Sequence, residues 1–349
     1  MADQQLPTDL TDEQLEYLKG FASGVDARRG KDGLSKLFGI SDESQPAEDD
    51  THPDAAQRAA QRLTEESGAK LVPEEVAKRD APPLDMWGTI RTNAANKEFP
   101  KGTEVFRYKF HGLFYTAPAQ DAFMCRLRAP NGHFSGQQAI GIADLADQYG
   151  GGYAHVTTRA NLQIREIGAE STDKVLIRLQ ALGILNRGAG ADNVRNITGD
   201  PLAGIDPQAL IDTRPLCSEM HYHLLNTRAL FGLPRKFNIA FNGGGLIRGV
   251  SDTNDIDFSA VRKPDGEVGF QVGIGGIPGH DDFAEPTSWV LTPGQCVPVA
   301  DAILRVYARR GCRSDRKKAR MKYVLDDMGT GAFMEAVLEE LSFTPDRIE

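Results

Sequence analysis

With 349 residues, 40% of them hydrophobic, the chain is long enough for two or three domains and a sizeable core. Its net charge of −9 argues against a chain built for nucleic acid. No apolar run approaches the ~18 residues that a membrane helix needs. The start, Met1 to Leu10, has neither a basic region followed by an apolar stretch nor an Arg- and Ser-rich composition, so no signal or transit peptide is expected. The chain reads as soluble and cytoplasmic. Its four cysteines, Cys125, Cys217, Cys296 and Cys312, are widely spaced, so no paired-cysteine metal signature exists and separate reduced thiols are expected.

In chain order, Leu15, Leu18 and Phe21, then Leu34 and Leu37, give short helical patterns over residues 11–38. From Ser41 to Asp54 there are six acids, two prolines and no Lys or Arg, the composition of a linker. A helix is expected from Ala55 to about Ser67, stopped by Gly68 and Pro73. A Pro-rich stretch with Trp87 then leads to a main body starting near Gly102. Residues 107–115 and 123–128 alternate in strand fashion, and Pro130-Asn131-Gly132 signals a turn. Gly136 to Tyr149 reads as a helix, 153–159 and 162–165 as paired strands, and Thr172 to Leu182 as a second helix. This order suggests a ferredoxin-like α+β unit. Leu216, Met220 and Leu224 lie four apart and predict one long helix over Asp206–Phe231, ended by Pro234. Strands are expected over 237–241 and 268–274, separated by a Gly-rich turn and an acidic loop, and helices over 299–309 and 332–341. The overall expectation is α+β: a helical extension and acidic linker over 1–101, a ferredoxin-like half domain over 102–186, and an α/β domain over 187–349.

Cations sit beside turn residues at several points. Arg126 and Arg128 are spaced by two, so an extended backbone would point both to one face. In Thr157-Thr-Arg-Ala-Asn-Leu-Gln-Ile-Arg165, extension would align Arg159, Asn161, Gln163 and Arg165, a row suited to a polyanion. A strand with one solvated face gives the same alternation. Arg195 lies in a loop rich in turn formers, Asn193-Val-Arg-Asn-Ile-Thr-Gly199. Arg235 and Lys236, in Leu233-Pro-Arg-Lys-Phe-Asn238, could simply neutralise the negative end of the preceding helix. Between Arg309 and Lys322 there are eight basic residues against one acid, Asp315. That run reads as a solvated face, a patch for cofactor carboxylates, or a dock for an acidic protein; it lacks the aromatics or recognised fold of a nucleic-acid site.

Taken together, Phe123-Met-Cys-Arg-Leu-Arg-Ala-Pro-Asn-Gly132, Thr157–Gln163, Asn193–Asn196 and Leu233–Asn238 resemble, in order, successive motifs in the first half of ferredoxin-dependent nitrite reductases and sulfite reductase haemoproteins. The resemblance covers roughly residues 106–341. It implies sirohaem, an iron tetrapyrrole with eight carboxylates, coupled to a [4Fe–4S] cluster, and six-electron reduction of nitrite or sulfite. The positions matching the family's anion-binding cations are Arg126, Arg195 and Lys236. Those matching cofactor contacts are Arg159, Asn161, Gln163, Arg165 and Arg235, with Arg128 beside them. Arg316, Lys318 and Arg320 are expected to approach the sirohaem carboxylates or an acidic ferredoxin. Where sulfite reductases of the family carry a second lysine, this chain has Asn238, which suits the smaller charge of nitrite. The paired-cysteine cluster motifs of the family's second half have no counterpart here. A fragment, a truncated product or one polypeptide of a split enzyme are the expectations left open, and a non-catalytic tetrapyrrole-binding or structural subunit is the rival from another class.

Overall fold

Helix α1 (Ala55–Glu66) buries Ala60 and Gln61 and stops two residues before Gly68, whose φ of 83° only glycine adopts freely. The computed structural model describes residues 52–116, 121–277, 279 and 282–348. The short helices expected over 11–38 and most of the acidic linker lie outside the described residues. From residue 56 onward the chain forms one compact unit, so the stretch 56–101 is built into the body. It contributes two helices where the sequence showed only a Pro-rich stretch, α2 (Pro73–Asp80) and α3 (Trp87–Asn96). Pro73 opens α2, Glu74 and Glu75 sit in its first turn and Lys78 and Arg79 in its last, an order that complements the helix dipole. Glu75 and Lys78 are nonetheless fully buried.

The strand expected over 107–115 is mostly helical: α4 (Glu104–Tyr108) continues as a 3-10 turn to His111, and only Leu113–Tyr115 form β1. Phe106 and Phe110 pack edge to face at 5.7 Å, four residues apart as a helix requires. Gly112, at φ 76°, then turns the chain into the sheet beside the Arg126 carbonyl. Strand β2 (Phe123–Arg126) ends two residues before the expected limit, because the Asn196 side chain captures both backbone groups of Ala129. With β3 (Ala154–Thr157) and β4 (Asn161–Ile167) these strands form an antiparallel sheet in the order β1-β2-β4-β3. Helices α5 (Gly136–Tyr149), opened by a Ser135–Gln138 capping box, and α6 (Thr172–Ala181) share a core with Leu113, Cys125, Ile164 and Ile167. The opposite face, where Arg126 lies across from Gln163, is left for the site.

The second sheet has the order β5-β6-β7-β8-β9, from β5 (Ile239–Asn242), β6 (Ile256–Arg262), β7 (Val268–Ile274), β8 (Glu285–Leu291) and β9 (Asp346–Arg347). Only the β5–β6 pair is parallel, so this part too is α+β in character. Helix α7 covers Arg214–Asn226, about half the expected span. Pro215 fixes its start, and the stretch before it bends repeatedly, with Gly204 at φ 75°. Its Leu216–Met220–Leu224 stripe packs on Phe237, Phe241 and Phe258 together with α8 (Cys296–Arg310) and α10 (Thr330–Leu338). The helix α9 (Met321–Met328) and strands β6, β8 and β9 were not anticipated. Among the described residues no helix is long and apolar enough to cross a membrane.

Candidate anion-binding site

Arg126 ends β2 on the face away from the core, and its guanidinium lies 4.4 Å from the centroid of the Phe114 ring. The turn from β3 to β4 holds Ala160 at φ 46° and swings Arg159 inward. There its Nη1 donates to Asn254 Oδ1 and its Nη2 to the Asn196 carbonyl, both at 2.8 Å. The same turn is gripped from the other side, where the Asn196 amide donates to the carbonyls of Arg159 and Ala160 at 3.0 and 3.1 Å.

Residues 193–198 run parallel to 237–240 through bridges at Val194↔Phe237 and Thr198↔Ala240. Arg195 N donates to Phe237 O at 2.8 Å, and Phe237 N to Asn193 O at 3.1 Å. This pairing sets Arg195 beside Lys236 and Asn238. The Arg195 guanidinium donates to the carbonyls of Ala189 and Ala191 at 3.1 and 2.8 Å. Asn238 is anchored through its backbone N–H to Asp255 Oδ2 at 2.8 Å.

The result is one cavity of about 380 Å³ lined by Arg126, Arg159, Asn161, Gln163, Arg195, Lys236 and Asn238, with Phe114, Thr157, Thr158 and Asn196. No carboxylate lines it. Burial, reinforced by Arg126, pushes Arg195 down to about 9, and burial pushes Arg159 down to about 10. Lys236 is lowered by burial and then by Arg320, Arg195 and Arg235. Arginine stays charged in proteins, so these displacements record lost hydration and mutual repulsion. The Nε groups of Arg159 and Arg195 and Asn238 Oδ1 are buried without a hydrogen-bond partner. Orphaned donors among crowded cations are the complement of an anionic oxygen ligand.

Six further expected contacts are not among the residues that line this cavity. Arg128 lies two residues past the end of β2 and is buried, donating to Val194 O at 2.9 Å. Arg165 lies on β4 near Tyr153, ~13 Å along the strand from Asn161 at about 3.3 Å per residue. Arg316 makes a two-pronged pair with Asp192 at 2.9 Å and also meets Glu74. Arg235 approaches the same Asp192 at 3.8 Å. Arg320 is buried against Asp255, and Lys318 points to solvent. Acids remote in sequence claim these arginines, which a reading of the basic run alone could not show. Sequence reasoning in turn missed Phe114, Asn196 and the buried acids Asp192 and Asp255. Asn196 stood within the Asn-Val-Arg-Asn motif, but its role as a clamp needs the fold.

A family model of the nitrite and sulphite reductase 4Fe-4S domain matches residues 190–344. A model of the nitrite/sulfite reductase ferredoxin-like half domain matches residues 117–182. The ferredoxin–nitrite reductase of Leptolyngbya laminosa is 37% identical over 67% of this chain and 47% of its own length. The chloroplastic ferredoxin–nitrite reductase of Zea mays is 33% identical over 79% of this chain and 51% of its own length. The chain thus spans about half the length of the curated relatives it matches. Among solved structures, the Mycobacterium tuberculosis NirA protein shares the fold with a TM-score of 0.71 at 24% identity, over 78% of this chain and 53% of that one. With both halves of its described body matched by the family's own domain models, the chain belongs to the nitrite and sulfite reductase haemoprotein family.

Proposed function

We propose that the chain is the sirohaem- and oxyanion-binding half of an assimilatory, ferredoxin-dependent nitrite reductase, which takes nitrite to ammonia with six electrons, and that it works in the cytoplasm. The observation that carries this reading is the convergence of Arg126, Arg159, Arg195 and Lys236 on one cavity with no lining carboxylate. Such a field offsets a polycarboxylate ring and leaves charge over for a substrate anion. Arg159, Asn161 and Gln163 would hold the cofactor, and their fit rests on the unsatisfied Arg159 and Arg195 donors. When bound, sirohaem supplies the iron at which the anion is reduced. Arg126, Arg195 and Lys236 would orient the anion and stabilise charge as N–O bonds break. Asn238 in place of a second lysine favours nitrite over sulfite; a sulfite reductase half is the alternative within the class. The domain division at 102–186 and 187–349 belongs to this proposal.

The [4Fe–4S] cluster does not fit this chain. Cys125 accepts from Asn186 at 3.0 Å, Cys217 faces Asn131 and Thr198, Cys296 faces Thr292, and Cys312 faces Ser314. Burial raises the Cys125 thiol to about 12 and the Cys217 and Cys296 thiols well above their usual range, the opposite of thiolate ligands. We place the cluster cysteines outside these 349 residues, in the family's second half with its two paired-cysteine motifs, and derive no electron-transfer step here. The test is reconstitution. The chain should take up sirohaem by absorption spectroscopy, and R159A/R195A should lose that uptake while keeping its fold by circular dichroism. Equal uptake by the double variant would remove the proposal and leave a structural subunit as the better reading.

A further inference from the structure

We propose that Phe114 is a positioning residue for the anion site: its ring face holds the Arg126 guanidinium by stacking, which leaves the arginine's N–H groups free for the ligand. The inference rests on the reading of the cavity as an anion site.

The three arginines of the cavity are held in different ways. Arg159 commits both terminal nitrogens to Asn254 and to the Asn196 carbonyl. Arg195 commits both of its own to the Ala189 and Ala191 carbonyls. In each, the Nε is buried without a partner. Arg126 meets no hydrogen-bond acceptor or acid among the described residues, although burial lowers its pKa. A guanidinium has five donors, and one left without acceptors samples many rotamers and binds an anion at an entropic cost. The ring beneath it removes that freedom without using a donor, through cation–π attraction.

The ring is itself fixed from behind. Leu113 is in the core, so alternation along β1 turns Phe114 to the cavity face, and it pairs with Met124 of β2. Gly190 lies against its tip: a Cβ there would collide with the Phe114 ring and the Lys109 carbonyl. Lys109 Nζ lies 6.0 Å from the same ring centroid, so two cations address one π-system. Aliphatic side chains at 114 would fill the space but lack the negative face.

The probe is inorganic sulfate, titrated at constant ionic strength into the full chain with ¹⁵N-labelled arginine and followed through the Nε–Hε resonances. Phe114→Tyr, Phe114→Leu and Arg126→Ala are compared, with thermal melting of each. Stacking at a partly desolvated site predicts a Kd about 3- to 10-fold weaker for Phe114→Leu, with restoration in Phe114→Tyr and little change in Tm. The Arg126 Nε–Hε resonance should also broaden in Phe114→Leu and stay sharp in Phe114→Tyr. If Arg126→Ala weakens sulfate binding and Phe114→Leu binds as wild type, the role of Phe114 is overturned and the anion site stands. If the wild-type chain shows no saturable binding, or Arg126→Ala leaves it unchanged, the site reading itself falls.

Discussion

The Asn196 side chain joins the strand-like segment of the second sheet to two loops of the first. Its Oδ1 accepts from Ala129 N at 2.8 Å, and its Nδ2 donates to the carbonyls of Ala129, Arg159 and Ala160. Truncation would leave a buried N–H and several carbonyls unsatisfied, so Asn196→Ala should cost about 2–3 kcal/mol in denaturant unfolding. It should also weaken anion binding, because Arg159 is aimed by the same clamp. A second residue-scale expectation concerns Asn238, on the cavity wall two positions after Lys236. In the assembled enzyme Asn238→Lys should raise the sulfite-to-nitrite ratio of kcat/KM about tenfold, equivalent to ~1.4 kcal/mol of differential transition-state stabilisation. An unchanged ratio would remove the reason for preferring nitrite. The lining residues Arg126, Arg159, Asn161, Gln163, Arg195, Lys236 and Asn238 were all legible in the sequence, because each sits in a short motif whose spacing survives folding. Arg128, Arg235, Arg316 and Arg320 do not line the cavity, because residues remote in sequence hold their guanidinium groups.

Among the elements, α2 shows how a segment without a motif can support the site. Lys78 and Arg313 share the buried Glu75, while Lys78 and Arg316 also meet Asp192, the residue that opens the Arg195 segment. The Asp192 carbonyl accepts from Leu233 N at 2.9 Å, so one residue grips both segments that carry Arg195 and Lys236. Burial opposes the Asp192 charge, but Lys78, Arg316 and Arg235 outweigh it and hold the carboxyl below its usual range. A depressed folded-state pKa gives stability that is present above the unfolded value near 4 and lost as pH falls further. Asp192→Asn should therefore unfold about 3–5 kcal/mol more easily at pH 7, leaving buried cations unpaired, and should flatten the acid limb of the stability curve. Asp257 on β6 has the opposite sign. Burial raises its carboxyl to about 6 against the Ser259 and Ser251 hydrogen bonds that favour the charge. Its ionised form is disfavoured by folding, so this contribution improves as pH drops from 7 towards 4. Asp257→Asn should be more stable than wild type by about 1–2 kcal/mol at pH 7, allowing for partial exposure, with the gap closing near pH 4. Strand β6 was hidden in the sequence for the same reason. Asp257 and the Asp255 just before it made the stretch read as loop, although Ile256 and Phe258 alternate into the core at 0% exposure.

At the scale of the whole chain, the basic run divides by depth. Arg313 and Arg320 are buried, Arg316 is engaged with acids, and Arg310, Lys317 and Lys318 face solvent. These three, with Arg309, which is exposed and paired with Glu340, can meet an acidic electron carrier without cost to the fold. Lys317→Glu/Lys318→Glu should lower ferredoxin-driven kcat/KM in the assembled enzyme, most at low ionic strength, and leave sirohaem retention unchanged. No effect at any salt would mark the run as a solvated surface. By itself, the purified chain should give no iron–sulfur signal in electron paramagnetic resonance after reduction and form no ammonia from nitrite with reduced methyl viologen. Stoichiometric cluster iron with turnover in the 349-residue protein would overturn the half-enzyme picture.

A cavity walled by cations and free of carboxylates also makes the protein sensitive to its buffer. Repulsion among Arg126, Arg195 and Lys236 is relieved by any oxyanion that enters, and a ligand of the folded state alone stabilises it by mass action. At equal ionic strength and pH, phosphate or sulfate should raise the melting temperature above that in chloride, saturating with concentration. Purification in such a buffer would then load the site with a competitor, and the apparent affinity for nitrite or for a carboxylate-bearing cofactor would be read as too weak.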